Sequence, residues 1–111
     1  MVKKESIAIL LRIFMGESDH FDGKPLYQYF VEYLRKNHYA GATVLRGTEG
    51  FGKASFIHTS DILDLSSDLP MVVEVVDTEE KITQLKAAIE KNDMLKNGLI
   101  TEEKVTIVKY G

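Results

Sequence analysis

"GTEGFGKAS", Gly47 to Ser55, is the stretch on which the fold turns. It follows the phosphate-binding loop pattern G-x-x-x-x-G-K-[ST] through Gly47, Gly52 and Lys53, then breaks. Ala54 stands where the pattern needs a Ser or Thr hydroxyl for Mg²⁺. In such a loop the glycine turn runs directly into a helix whose N-terminus holds the phosphates. Here the residues that follow, FIHTSDILDLSSDLP, carry no strong helical stripe and soon reach Pro70. The parallel sheet of an NTPase would also need more chain than 111 residues. The stretch is a glycine loop of another kind.

Upstream of it, Thr43 to Leu45 forms the core of a strand. Before that, Leu26, Tyr29, Phe30, Tyr33 and Leu34 recur at helical spacing behind Pro25, a suitable first residue for a helix. Arg35, Lys36 and His38 crowd the last turn, which suits the helix dipole, and Gly41 lies just past the expected end. Ser6 to Met15 reads as a strand apolar on both faces: Ile7, Ile9, Leu11 and Ile13 on one, and Ala8, Leu10 and Phe14 with Arg12 on the other. The polar stretch GESDHFDGK between this strand and the helix gathers Glu17, Asp19, Asp22 and His20 without the alternating ligands of a calcium loop. It is expected to be a solvated turn.

Downstream, Ala54 to Asp68 is polar, lacks an apolar period and is long for a connection, so it is expected to be the most mobile segment. Met71 to Val76 is a third strand. Asp77, with Glu80 three residues on, has the form of a capping box for a second helix with an Ile82, Leu85, Ile89 stripe. After the loop NDMLKNGLITEE, Lys104 to Tyr110 is expected to be the last strand. Two β-α-β units joined by a long loop predict one domain over residues 1–111. Its class is α+β: a ferredoxin-like βαββαβ sandwich, with a four-stranded antiparallel sheet and two helices on one face. Two helices cover only one face of that sheet. The apolar second face of the first strand therefore calls for a cover, most simply another copy of the chain.

Composition sets outer limits. Apolar content of 44% and charged content of 28% are ordinary for a globular domain. A net charge of -3 argues against a nucleic-acid partner. The chain has no cysteine, which excludes disulfides and thiol chemistry. Glu5 and Arg12 interrupt the only stretch that loosely mimics a signal peptide, and no run reaches membrane-spanning length. A cytoplasmic protein, not itself inserted in a membrane, is expected.

"GATVLRGTEGFGK", a polar excursion and then "LPMVVEVVD" resemble the nitrogen-regulatory PII signalling proteins. "RIFMGESD", "GKPLY", "AGATVLRG", "GFG", "IHT" and "DLPMVVEVVD", in this order, resemble more closely a PII-like family of uncharacterised bacterial and archaeal proteins, over nearly the whole chain. The resemblance implies a homotrimer with clefts between neighbours that take an adenine nucleotide, and a long loop that signals occupancy. Such proteins are often encoded near transporters, fluoride exporters among them, which admits a transporter or other membrane-protein partner.

Carried over residue by residue, the resemblance implies a base-contacting Thr43, turn glycines at Gly50 and Gly52, and a basic Lys53. It also implies Glu74 and Val76 on the third strand, and a phosphate-binding Lys104 in the loop before the last strand. Glycines admit backbone N–H groups close to phosphate, and a lysine adds a point charge. Two departures favour ADP or AMP over ATP. The loop before the last strand has only Gly98, and the arginines are Arg12, Arg35 and Arg46, none in the second half. Structural alternatives stand beside these roles: the glycines can simply shape a turn, the lysines can be surface residues, and Glu74 can pair with a neighbouring cation. His58 is expected to make a local hydrogen bond, and Tyr27, Tyr29 and Tyr33 to pack in the core or an interface.

Two rival functions follow from the same sequence. One is a structural or partner-binding oligomer without a small ligand. The other is a small phosphatase-like enzyme of the acylphosphatase type, which needs an Arg in a phosphate cradle beside an Asn; the acidic GESDHFDG offers neither.

Overall fold

The computed structural model describes residues 3–50, 58–59 and 68–111, with the backbone alone at 58–59. Along the chain run β1 (Lys3–Gly16), β2 (His20–Phe21), β3 (Lys24–Pro25), α1 (Leu26–Lys36), β4 (Thr43–Arg46) and β5 (Glu49–Gly50). Then follow β6 (His58–Thr59), β7 (Pro70–Asp77), α2 (Glu79–Lys91) and β8 (Leu99–Tyr110). The main sheet has the order β4-β7-β1-β8, with every neighbouring pair antiparallel. This is the expected ferredoxin-like sandwich.

Strand alternation builds the core. Ile9, Leu11, Ile13 and Met15 on β1 and Met71, Val73 and Val75 on β7 are buried toward the helices. Leu26, Phe30 and Leu34 of α1 and Ile82, Leu85 and Ile89 of α2 close over them. Tyr27, Tyr29 and Tyr33 pack against this cluster, half-buried, with Phe21 edge-on to Tyr29 at 4.7 Å. Ile7, read as part of the apolar stripe, is instead 67% exposed.

The helix ends differ from expectation in their chemistry. Thr78, not Asp77, caps α2: its hydroxyl accepts the Lys81 N–H at 3.2 Å. Asp77 stands one residue earlier, where Oδ1 accepts from the Thr78 N–H and Oδ2 from the Ala40 N–H, both at 2.8 Å. The capping-box geometry is absent because the third helical residue is Lys81 rather than Glu80. At the other end, α1 stops at Lys36, well before Gly41. The Tyr39 N–H reaches back to the Leu34 carbonyl and the His38 N–H to that of Arg35, with His38 at φ 62°. Met94 and Asp93 repeat the arrangement at the end of α2, with Asp93 at φ 51°.

Two further corrections bear on the site. The acidic stretch after β1 is a hairpin, β2 on β3, turned by Asp22 and Gly23 at φ 52° and 79°, the conformation that an Asp-Gly pair favours. Its base is tied down: the Gly16 N–H donates to Asp19, Ser18 N–H to Asp68, and Arg46 to Glu17. Meanwhile β8 begins at Leu99, not Lys104, and pairs with β1 from Phe14 to Lys3. The start is tight. A Cβ on Gly98 would collide with the Phe14 carbonyl oxygen and the Leu95 side chain. The expected mobility of Ala54–Asp68 falls largely outside the described residues.

Candidate functional site

Pairing fixes which side chains share the face away from the helices. Thr43 lies opposite Glu74, Glu74 opposite Arg12, and Arg12 opposite Thr101. One row therefore crosses all four strands. Val76, two residues beyond Glu74, stands opposite Leu10 on the same face. The strand periodicity of PMVVEVVD makes this placement: once Met71, Val73 and Val75 point into the core, Glu74 and Val76 point out of it.

At the end of the sheet where β7 runs into α2 lies a cleft of about 590 Å³. Thr43, Glu74 and Val76 line it together with Asp77, Ile107 and Lys109. Residues 40–42 form part of its wall, and the hydrogen bond from the Ala40 N–H to Asp77 holds that wall to the end of β7. The cleft can offer a ligand a hydroxyl at Thr43, a carboxylate acceptor at Glu74, an apolar contact at Val76 and a cation at Lys109.

Arg12 stands behind Glu74. Its Nε donates to Glu74 Oε2 at 2.9 Å and its Nη1 to Glu103 Oε1 at 3.0 Å. These hydrogen bonds, that to Glu74 first, raise the guanidinium pKa above its ordinary value, so Arg12 stays charged. Near the wall, the Tyr39 hydroxyl donates to the Lys81 carbonyl at 3.0 Å, and burial raises its pKa, with Tyr33 and Asp77 adding to the effect.

The other site residues of the sequence reading fall elsewhere. Gly52 and Lys53 lie outside the described residues. Gly50 is on β5, paired with residue 58, and does not line the cleft. A Cβ there would come within 3.1 Å of Pro70 Cγ, so close packing is one reason for a glycine. Lys104 is within β8 and opposite Ile9, on the helix side of the sheet. It was misplaced because Thr101 to Lys104 shows no apolar alternation from which to read a strand. Lys109 was missed for the complementary reason: a lysine near the C-terminus carries no local signal, and only its pairing opposite Lys4 on β1 brings it to the end of the sheet where the cleft lies. The side chain of His58 is outside the described residues. Among the described residues no group of three or more His, Asp or Glu is placed to hold a metal ion, and no helix is long and apolar enough to cross a membrane.

Solved structures share this fold at low sequence identity. A nitrogen-regulatory PII-like protein, CPII from Thiomonas intermedia K12, bound to ADP, AMP and bicarbonate, matches with a TM-score of 0.68 at 13% identity, over 94% of this chain and 91% of that one. Its apo form matches with a TM-score of 0.61 at 14% identity, over 98% and 100%. Among curated proteins, a UPF0166 protein of Aquifex aeolicus is 43% identical over 108 residues, 97% of this chain and 96% of its own length. The UPF0166 protein MJ1524 of Methanocaldococcus jannaschii is 36% identical over 78 residues, 70% of this chain and 71% of its own length. A family model described as Uncharacterized ACR, COG1993 (DUF190) matches residues 8–107. The chain thus belongs to the DUF190 (UPF0166) family, and its fold is that of the PII-like proteins.

Proposed function

We propose that the protein is a PII-like regulatory protein that binds an adenine nucleotide, ADP or AMP in preference to ATP, and acts as a homotrimer. One observation carries this reading: Thr43, Glu74 and Val76, the three strand residues that the family resemblance assigns to the nucleotide, converge on one cleft. Its volume, about 590 Å³, falls in the ~300–1,000 Å³ usual for small-molecule sites. Its charge supports the preference. Among the described lining residues, Glu74 and Asp77 face a single lysine, Lys109, which disfavours a triphosphate. Lys109 takes the role first given to Lys104; Gly52 and Lys53 are proposed to complete the anion side from the long loop, with Gly50, outside the cleft lining, shaping the turn that leads to them.

The open sheet face supports assembly. Leu45 and Leu99 project from it, 47% and 56% exposed. That exposure equally suits a partner-binding oligomer without a small ligand, the second reading. No catalytic role is proposed. Arg46, the arginine nearest the glycine loop, is paired with Glu17. The sequence reading places the protein in the cytoplasm, and the family resemblance admits a transporter or other membrane protein as its regulated partner.

Calorimetric titration of the full chain with AMP, ADP and ATP tests the reading. AMP and ADP are expected to bind, ATP more weakly, and Thr43→Val to weaken both. The absence of binding by all three would favour the ligand-free oligomer.

A further inference from the structure

We propose that Arg12 is the positioning residue of the nucleotide cleft: clamped between Glu103 on β8 and Glu74 on β7, its guanidinium fixes the Glu74 carboxylate beside Thr43 for a ligand N–H. This rests on the nucleotide-binding reading and adds a residue and a mechanism to it. Three observations carry it. Arg12 does not line the cleft, whereas Glu74 does. The contact to Glu74 is direct and across the strand pair, Nε to Oε2 at 2.9 Å. The second arm runs diagonally to Glu103, two residues beyond Thr101, its direct partner on β8.

The geometry has a chemical consequence. Glu74 has rotatable bonds, and a carboxylate on a half-open face samples several orientations. Among the described residues Arg12 takes only Oε2, which leaves Oε1 for other donors, a ligand N–H among them. The planar fork of an arginine, itself held at both ends, sets that orientation before the ligand arrives and lowers the ordering cost of binding. Glu103 contributes by holding the fork, although it is 56% exposed and outside the cleft. Because Arg12 and Glu103 stand on the open sheet face, the clamp also joins the cleft to the surface proposed for assembly.

The test is ADP titration of the full chain and its variants, with light scattering on the same samples. Arg12→Met is expected to weaken ADP binding about tenfold, as for the loss of an ordered charge-assisted contact. Arg12→Lys, which keeps the charge but not the fork, recovers only part of this. Glu103→Ala weakens binding about threefold through the released fork. In a Glu74→Gln background, Arg12→Met costs less than about twofold, because the carboxylate it positions has gone. A purely structural Arg12 would instead lose the same factor in both backgrounds, and that result overturns the inference. So does wild-type affinity in Arg12→Met. A wild type that binds neither ADP nor AMP overturns the functional reading, and this inference with it.

Discussion

Lys104 and Lys109 share a strand and differ in the face they serve. Lys104 lies opposite Ile9 on the helix side; Lys109 lies opposite Lys4 and lines the cleft. Lys109→Ala is therefore expected to weaken ADP binding roughly five- to tenfold, and Lys104→Ala less than about twofold, by the same calorimetric titration. Equal effects of the two would contradict the assignment of faces. The contrast shows what could be read from sequence at this scale. Glu74 and Val76 were legible because they alternate with the buried Met71, Val73 and Val75, so the phase of that strand was fixed. Lys104 was not, since TEEK offers no apolar alternation: the strand is read as beginning only at Lys104, which leaves that lysine at a loop instead of on the helix face. The Arg12–Glu74 pair was foreseen only as a generic cation for Glu74, because register between distant strands is a property of pairing and not of either segment alone.

At the scale of elements, caps and tight packing decide where segments begin. Thr78 holds the start of α2 through its hydroxyl, so Thr78→Ala should cost about 1 kcal/mol of stability by urea denaturation, typical for a lost N-cap. Asp77→Ala should act differently: it frees the Ala40 N–H and with it the wall of the cleft, so ADP affinity falls along with stability. Gly98 governs the start of β8. Gly98→Ala should destabilise by about 1–3 kcal/mol, as for overpacking, because neither the Phe14 carbonyl nor the strand can move freely. Unchanged denaturation midpoints in these variants would show that the element ends are not set as described. The existence and order of the main strands and both helices were legible from apolar periodicity. Their ends were less so. Both helices close on non-glycine residues at positive φ, His38 and Asp93, whereas Gly41 was the expected signal for the first. The early start of β8 rests on pairing to β1 and not on its own composition.

At the scale of the whole molecule, two helices cover one face of the sheet, and the other keeps Leu10, Phe14, Val72, Leu45 and Leu99 with the Arg12 clamp among them. That second apolar face was legible in the alternation of β1. How copies meet across it was not, because complementarity between surfaces is not written in any one segment. If this face mediates assembly, Leu45→Lys and Leu99→Lys together should yield smaller particles by light scattering, since buried like charges at an interface oppose association. Assembly and nucleotide binding are joined in the proposed function, so one measurement addresses both: native mass spectrometry of the full chain with ADP. The account predicts a particle of three times the 12.5 kDa chain mass that retains ADP, up to one per chain. A single-chain mass, or a trimer that retains no ADP, would contradict it.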